Sequence, residues 1–297
     1  MTVASPGIAD RVLAWVGGDD PATLGSKFFW FRRYVLLHLA VEAWFRYTLE
    51  LPRQASDFSF ALLYTLCLAL GWWRRWTRSA GEICLIVVLA QIAWWFPHTA
   101  NHLYLEGLIV LVVALFDPER PAECTAALRG LRWLPLLVLF YSGVKKLVYG
   151  FYFDASFFGQ MISIDRRFLG FFRPLLEADE LKRLARLGWP AAAGAGPYRI
   201  DSLPIQLMSN LVWACEILFS LGLLLPKLRR AAAVGCVLLV IGIEIAAREV
   251  FFGALFINLL LLYAARDLNR RLFPLFVAFL LWMTLIMFEL VPRWGLV

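Results

Sequence analysis

Two adjacent lysines lie near the end of a long apolar stretch, Trp133–Tyr149. Neighbouring helical positions point about 100° apart, so one lysine can reach the membrane interface while the other faces a helix bundle. We predict that Lys146 faces the bundle, because Ser142 and Tyr149 lie one turn away on the same polar strip. Burial and the adjacent charge of Lys145 would favour a neutral amine able to act as a base. The alternative is that both lysines are interfacial anchors.

The same stretch supplies further candidate contacts for a substrate. Gly143 leaves the helix surface beside the lysines open, so that a bulky ligand could approach there. The candidate binding residues of this stretch are Tyr141, Ser142, Gly143, Lys145 and Tyr149.

A second polar group begins the preceding apolar stretch. His102 and Glu106 are one helical turn apart, and Asn101 adjoins them. An amide, an imidazole and a carboxylate converge here, which favours a site over a helix cap. Ionisable groups at membrane depth are costly and are therefore candidates for function.

Three other acidic positions lie in apolar stretches. Glu216 has no partner within its own stretch and must find one across the bundle, whereas Glu244 and Arg248 are spaced as a buried pair or a catalytic one. His38, Glu42 and Arg46 recur every four residues, and for these we favour a structural ion pair that holds the helix to its neighbours.

The composition indicates what must position these groups. Of 297 residues, 61% are apolar and only 17% are charged, against about 25% charged in soluble domains. With a mean hydropathy of +0.70, a soluble core could not enclose the apolar surface. Continuous rather than alternating apolar stretches favour helices over a membrane barrel. The net charge of +7 is expected to set membrane orientation rather than to bind nucleic acid.

The sequence therefore predicts an all-α integral membrane protein, a polytopic helical bundle of about eight or nine transmembrane helices. The candidate spans are Tyr34–Leu49, Phe58–Trp73, Gly81–Phe96, His102–Phe116, Trp133–Tyr149, Leu203–Leu225, Ala231–Ala247, Phe252–Ala265 and Leu272–Leu290. The count is eight if the Phe252 stretch continues the one before it.

The chain divides accordingly into four regions. Residues 1–30 form an N-terminal tail or interfacial helix, and residues 31–149 form helices one to five. Residues 150–202 form an extracytoplasmic interfacial segment, and residues 203–297 carry helices six to nine. The five cysteines have no metal-ligand or redox spacing, which indicates packing roles.

Two motifs resemble the vitamin K-dependent γ-glutamyl carboxylase family and its shorter bacterial relatives, the HTTM-domain proteins. Asn101-His102-Leu103-Tyr104-Leu105-Glu106-Gly107-Leu108 is similar to the family's Asn-His-x-Tyr-Leu-x-Gly-Leu stretch, and Gly143-Val144-Lys145-Lys146-Leu147 is similar to its Gly-Val-Lys-Lys-Leu motif. The order and spacing of the two motifs also match, and the resemblance covers about residues 97–263.

The resemblance implies an enzyme that couples oxygenation of a reduced quinone to carboxylation of a glutamate. Lys146 would be the base that deprotonates the quinol, while His102 with Asn101 would stabilise the resulting oxyanion. Oxygen adds to the anion, and the strong base formed on the way to the epoxide removes a γ-proton, after which the carbanion captures CO2. Reduced vitamin K or a related quinol, O2 and CO2 are implied, and no metal is expected.

Two departures from the family bear on the substrate. A histidine expected in the family's later helices is replaced by Glu244 or its neighbours, and the family's large extracytoplasmic C-terminal domain is not present in these 297 residues. A peptide or a small acidic molecule is therefore expected as substrate, besides the lipid bilayer and a membrane quinone as partners. The alternatives are a membrane transporter or channel, and a non-catalytic scaffold.

The distribution of Lys and Arg gives a testable topology. Cations concentrate in alternate loops, for example Arg74–Arg78 and Lys227–Arg230, so the N-terminus should be cytoplasmic in a membrane such as the bacterial inner membrane. The candidate site near Lys146 would then face the extracytoplasmic side. In a variant lacking native cysteines, an impermeant maleimide should label Leu228→Cys only in permeabilised cells, and a cysteine within residues 151–202 in intact cells. External labelling at position 228 would reverse the topology.

Overall fold

A computed structural model describes residues 21–49, 54–99, 101–187, 196–247, 249–263, 268–288 and 290, and this part of the chain is helical without strands. The twelve α-helices in it are α1 Pro21–Leu49, α2 Ala55–Trp72, α3 Thr77–Trp95, α4 Asn101–Leu115, α5 Pro121–Tyr149, α6 Ser156–Ile164, α7 Arg166–Phe172, α8 Ala178–Leu187, α9 Leu203–Leu224, α10 Arg229–Ala247, α11 Val250–Leu260 and α12 Leu268–Met287.

Within the described residues, five helices are long and apolar enough to cross a membrane: α2, α3, α5, α9 and α10. Three further apolar stretches, His102–Leu115, Val250–Tyr263 and Arg271–Leu285, are shorter. The all-helical architecture is thus confirmed, whereas a count of eight or nine spans stays a prediction.

The outer faces of α9 and α10 are apolar. On α9, Leu203, Leu207, Leu211 and Leu218 recur on one side, and each is at least 60% exposed. On α10, Val234, Leu238, Ile241 and Ile245 form a comparable stripe. An exposed apolar surface of this extent suits a hydrocarbon environment and not water. It is consistent with a location in a membrane.

The first helix is longer than the apolar pattern indicated. Its predicted span begins at Tyr34, but α1 begins with Pro21 in its first turn, a position that suits proline. The boundary predicted at residues 30 and 31 therefore falls inside one helix. Lys27 and Arg32 interrupt the apolar pattern, yet both side chains are buried.

Backbone carbonyls satisfy these buried cations. Lys27 Nζ donates to the carbonyl of Leu262 at 2.9 Å, and Arg32 donates to the carbonyls of Thr77 and Phe116 at 2.6 and 3.1 Å. Arg132 of α5 also donates to the carbonyl of Leu262, at 3.0 Å. Phe116 follows the end of α4 and Leu262 lies beyond the end of α11. Carbonyls at the C-terminal ends of helices lack helical partners and attract positive charge, which explains why cations are tolerated at these two carbonyls.

The chain separates into two compact units. Unit 1 comprises the described residues of 1–134 and 254–294, and unit 2 those of Pro135–Gly253. The division falls within α5, before Pro135, which lies inside the helix. The units therefore differ from the four regions drawn from the sequence, whose boundaries followed loops.

Unit 2 has an aromatic core built largely from residues 150–202, the segment predicted to be interfacial. Its buried members are Tyr152, Ala155, Phe158, Ile162, Phe168, Phe172, Leu176, Leu184, Ile200, Ile205 and Ala246. The short helices α6, α7 and α8 thus bury their apolar sides against one another and against α9 and α10. The segment is a packed part of the fold, and its side of the membrane stays a prediction.

The five cysteines form no disulfide bonds.

Gly159 in α6 gives a test of this packing. A Cβ atom there would overlap the carbonyl oxygen of Tyr198, a backbone atom that cannot rotate away. We expect Gly159→Ala to lower the free energy of unfolding by about 1–3 kcal/mol through overpacking. Gly170→Ala is the matched control, because a Cβ at Gly170 has open space around it; equal effects of the two changes on unfolding in detergent would contradict the packing described.

Candidate functional site

An ion pair between two helices forms the centre of the candidate site in unit 2. Lys146 Nζ on α5 bonds to Glu216 Oε1 on α9. Ser142, one turn before Lys146, donates to the same oxygen at 3.4 Å. The Glu216 side chain is 4% exposed, and its second oxygen has no hydrogen-bond partner among the described residues.

Gly143 permits the close approach of α5 and α9. A Cβ atom at this position would lie 2.7 Å from Ile217 Cγ1, 3.0 Å from the Trp213 oxygen and 3.1 Å from Glu216 Cβ. The expectation that a ligand approaches the open surface of Gly143 is wrong, because α9 occupies that surface. Glycine is required because α9 must come close enough for Glu216 to bond Lys146.

A residue beyond the helix end completes this polar group. Gly150 has a positive φ of 72° and ends α5 in the left-handed conformation common at helix C-termini. The chain then turns so that the ring of Tyr152 lies 5.1 Å from Lys146 Nζ. Burial raises the pKa of the Tyr152 phenol, so this group stays protonated and can donate a hydrogen bond.

A largely apolar cavity of about 590 Å³ lies beside the ion pair. Its wall includes Lys146 and Tyr152, five phenylalanines of α6 and α7, and aliphatic side chains of α9 and α10. Arg167 and Glu249 are its other charged lining residues. Arg167 Nη2 donates a hydrogen bond to Asp165 Oδ2 at 2.7 Å, and this bond raises the pKa of the guanidinium. This volume is within the range of small-molecule sites.

Other predicted binding residues of α5 lie outside this cavity. Lys145 is exposed, and its ammonium lies 5.9 Å from the ring centroid of Tyr149. Tyr141 and Tyr149 are 69% and 60% exposed. Tyr149 therefore does not continue the polar strip of Ser142 and Lys146; Tyr152 takes that place.

Glu244 on α10 packs against a glycine. A Cβ at Gly253 would lie 2.6 Å from Glu244 Cδ, so the carboxyl rests on the backbone of α11. Glu244 Oε2 has no hydrogen-bond partner among the described residues. Arg248, its predicted partner, lies outside the described residues, so the Glu244–Arg248 pair stays a prediction.

The remaining predicted site residues belong to unit 1. His102 on α4 contacts Arg46 and lies 3.6 Å from Glu42 Oε1, and Arg46 Nε donates to that oxygen at 3.2 Å. The predicted ion pair between Glu42 and Arg46 is thus confirmed. Glu106 is 3% exposed. The side chain of Asn101 lies outside the described residues.

Sequence reasoning missed several groups that the fold brings together. Tyr152 and the phenylalanine wall could have been found from the aromatic pairs Phe157–Phe158 and Phe171–Phe172, which the sequence places shortly after Lys146. The convergence of His38 and Glu42 with His102 and Glu106 had a weaker signal. Each pair repeats at four-residue spacing, but spacing does not tell which helices face each other.

Comparisons of the chain with protein-family models, curated proteins and solved structures give no match.

The unit 2 arrangement supports proton transfer at the edge of an apolar cavity. Lys146 and Glu216 can exist as an ion pair, or as a neutral amine and a carboxylic acid if the proton moves to Glu216. A ligand entering the cavity would contact the Lys146 amine, whose proton Glu216 can accept.

The ion pair can be tested by its coupling energy. Because removing one partner leaves the other charge poorly solvated, Lys146→Met and Glu216→Leu should each lower the free energy of unfolding by about 2–4 kcal/mol, with less than additive cost in the double variant. The control is the exposed pair Arg78–Glu82, 3.0 Å apart, where Arg78→Met and Glu82→Leu should couple by less than about 1 kcal/mol. Additive effects at both pairs, measured by unfolding in mixed micelles, would refute the inferred pairing.

Proposed function

We propose that this chain is an integral membrane enzyme that oxygenates a reduced quinone to its epoxide and couples this to carboxylation of a glutamate-type carbon acid. The quinone is vitamin K hydroquinone or a related quinol, O2 and CO2 are co-substrates, and the acceptor is a peptide or a small acidic molecule. The membrane is the bacterial inner membrane, with the site toward the extracytoplasmic side.

One observation carries the proposal. Lys146, the lysine that the motif resemblance marks as the base, lines an aromatic cavity of about 590 Å³ and is bonded to the buried Glu216. A transporter needs polar ligands along a path, whereas the charged groups of this cavity are few and its wall is mainly apolar. This combination fits a hydrophobic ligand with one acidic hydroxyl.

The lining residues fit a quinol with a hydrocarbon tail. Phe157, Phe158, Phe168 and Phe171 offer ring faces for a planar head group. Leu211, Leu238 and Ile245, which line the cavity, are also more than 50% exposed on the outer faces of α9 and α10. A tail could leave the cavity between such side chains toward lipid, the phase in which quinones are dissolved.

Lys146 and Glu216 would divide the proton chemistry between them. With its proton on Glu216, Lys146 Nζ is a free amine that accepts the hydroxyl proton of the bound quinol. The Tyr152 hydroxyl and Ser142 can hydrogen-bond groups around this amine, and the phenylalanine wall excludes water that would quench a strong base. The deprotonated quinol is then the species that reacts with O2. The role of His102 in stabilising its oxyanion rests on the motif resemblance.

The proposal is tested by product formation in proteoliposomes. Purified protein should form epoxide from added vitamin K hydroquinone or menaquinol, and should incorporate labelled CO2 into a glutamate-containing peptide. Epoxide without carboxylation would retain the quinol chemistry and refute the acceptor class. Neither product across several quinols would refute the enzyme, and quinone-independent ion or solute flux would establish the transporter instead.

Substitution of Lys146 should show whether this lysine is the proton acceptor for epoxide formation. Lys146→Ala should abolish epoxide formation, and a small exogenous amine or higher pH should partly restore it because either supplies a proton acceptor. His102→Ala should lose about 10²–10³ in rate without rescue by amine. Lys182→Ala, an exposed change on α8, is the control for loss of a lysine. An unaltered rate in Lys146→Ala, with quinol bound, would contradict the assignment.

A further inference from the structure

A second cluster of chemistry-bearing side chains lies in unit 1. His38 and Glu42, one turn apart on α1, meet Glu106 of α4, and one potential ligand atom from each lies within 4.8 Å of the others. The three residues are 0%, 6% and 3% exposed. An imidazole and two carboxylates enclosed in this way are a donor set for a metal ion.

An unpartnered oxygen points to a missing ligand. Glu106 Oε1 is buried without a hydrogen-bond partner among the described residues, and Glu106 lines a cavity of about 10 Å³. Glu42, Tyr64 and Gln91 line the same cavity. This space accommodates one body of about the size of a water molecule or a metal ion. A buried carboxylate oxygen without a partner is costly, so something with positive charge or a donor hydrogen is expected there.

The geometry around Glu42 suits coordination. Its Oε1 is taken by Arg46, while its Oε2 lies 3.0 Å from His38 Nε2. Ligand bonds of about 2.0–2.2 Å place neighbouring ligand atoms roughly 3.0–3.5 Å apart in octahedral or tetrahedral sites. An ion bound to Glu42 Oε2 and His38 Nε2 would therefore need little movement of α1. It would also give Glu106 Oε1 the partner it lacks.

Outer hydrogen bonds would hold these ligands in place. Arg46 fixes the orientation of the Glu42 carboxylate from its other oxygen. Tyr64 donates to Gln91 Oε1 at 2.6 Å beside the cavity, and both side chains are buried. Such second interactions around ligands are typical of metal sites.

We infer that His38, Glu42 and Glu106 bind one divalent first-row transition-metal ion of the Mn²⁺, Fe²⁺ or Zn²⁺ group. The imidazole and the small ligand number disfavour Ca²⁺ and Mg²⁺, which prefer oxygen ligands and more of them. The site lies in unit 1 and uses neither Lys146 nor Glu216. It also departs from the expectation of no metal, which came from the motif resemblance.

The test uses the full chain, stripped with chelator and then equilibrated separately with Zn²⁺, Mn²⁺ or Fe²⁺ under anaerobic conditions. Elemental analysis should find about one ion per chain in the wild type with at least one of these metals. Glu106→Gln and His38→Gln should retain less than about a tenth of that amount. The control Glu82→Gln with His98→Gln changes the same residue types at exposed positions and should bind as the wild type does.

Two further measurements keep the test decisive if a variant folds poorly. The thermal midpoint of the wild type should rise with added metal, because an ion that binds only the folded state stabilises it. X-ray absorption of the loaded wild type should show one imidazole nitrogen among oxygen ligands and no sulfur. Absence of binding in the wild type, or equal binding in Glu106→Gln and the control, would overturn the inference. In that case a proton shared by Glu42 and Glu106 would be the partner of the buried oxygen.

Discussion

Buried charges must be bonded inside the protein, because an apolar interior offers them no solvation. This constraint explains the contacts of α1, whose 29 residues would otherwise be too polar for their buried position. Lys27 and Arg32 donate to backbone carbonyls near helix ends, and Glu42 lies between Arg46 and His38. Each of these bonds holds only at one register of the helices that it joins. The polar groups therefore specify how apolar helices pack, which apolar contacts alone, being alike along a helix, specify weakly.

Small residues allow the same constraint to be met in unit 2. An ion pair between α5 and α9 requires the two backbones to approach closely, and Gly143 provides the contact with Trp213 and Ile217. Gly159 likewise lets α6 lie against the Tyr198 carbonyl, and phenylalanines of α6 line the cavity. Close backbone packing through glycine is a general property of membrane helices. In this protein it serves to place one lysine at the edge of an apolar space.

Periodicity along one helix predicted part of this arrangement. The phase of Ser142 and Lys146, the bonding of Glu42 with Arg46 at four-residue spacing, and the need of Glu216 for a partner on another helix all follow from the geometry of a single helix. The start of α1 did not, because buried cations bonded to carbonyls look like loop residues in a hydropathy pattern. Tyr152 and the meeting of His38 with Glu106 did not either, since they depend on which helix faces which. That information is carried by packing between distant segments and not by local spacing.

Cavity volume distinguishes the two polar groups more clearly than their residue types do. Both contain carboxylates bonded to cations and both are largely buried, yet one adjoins about 590 Å³ and the other about 10 Å³. A large organic molecule can reach Lys146, whose partner Glu216 can take up its proton. The cavity beside Glu106 has space only for a body of the size of a water molecule or an ion. Two similar sets of charged side chains thus differ in the size of the space that adjoins them.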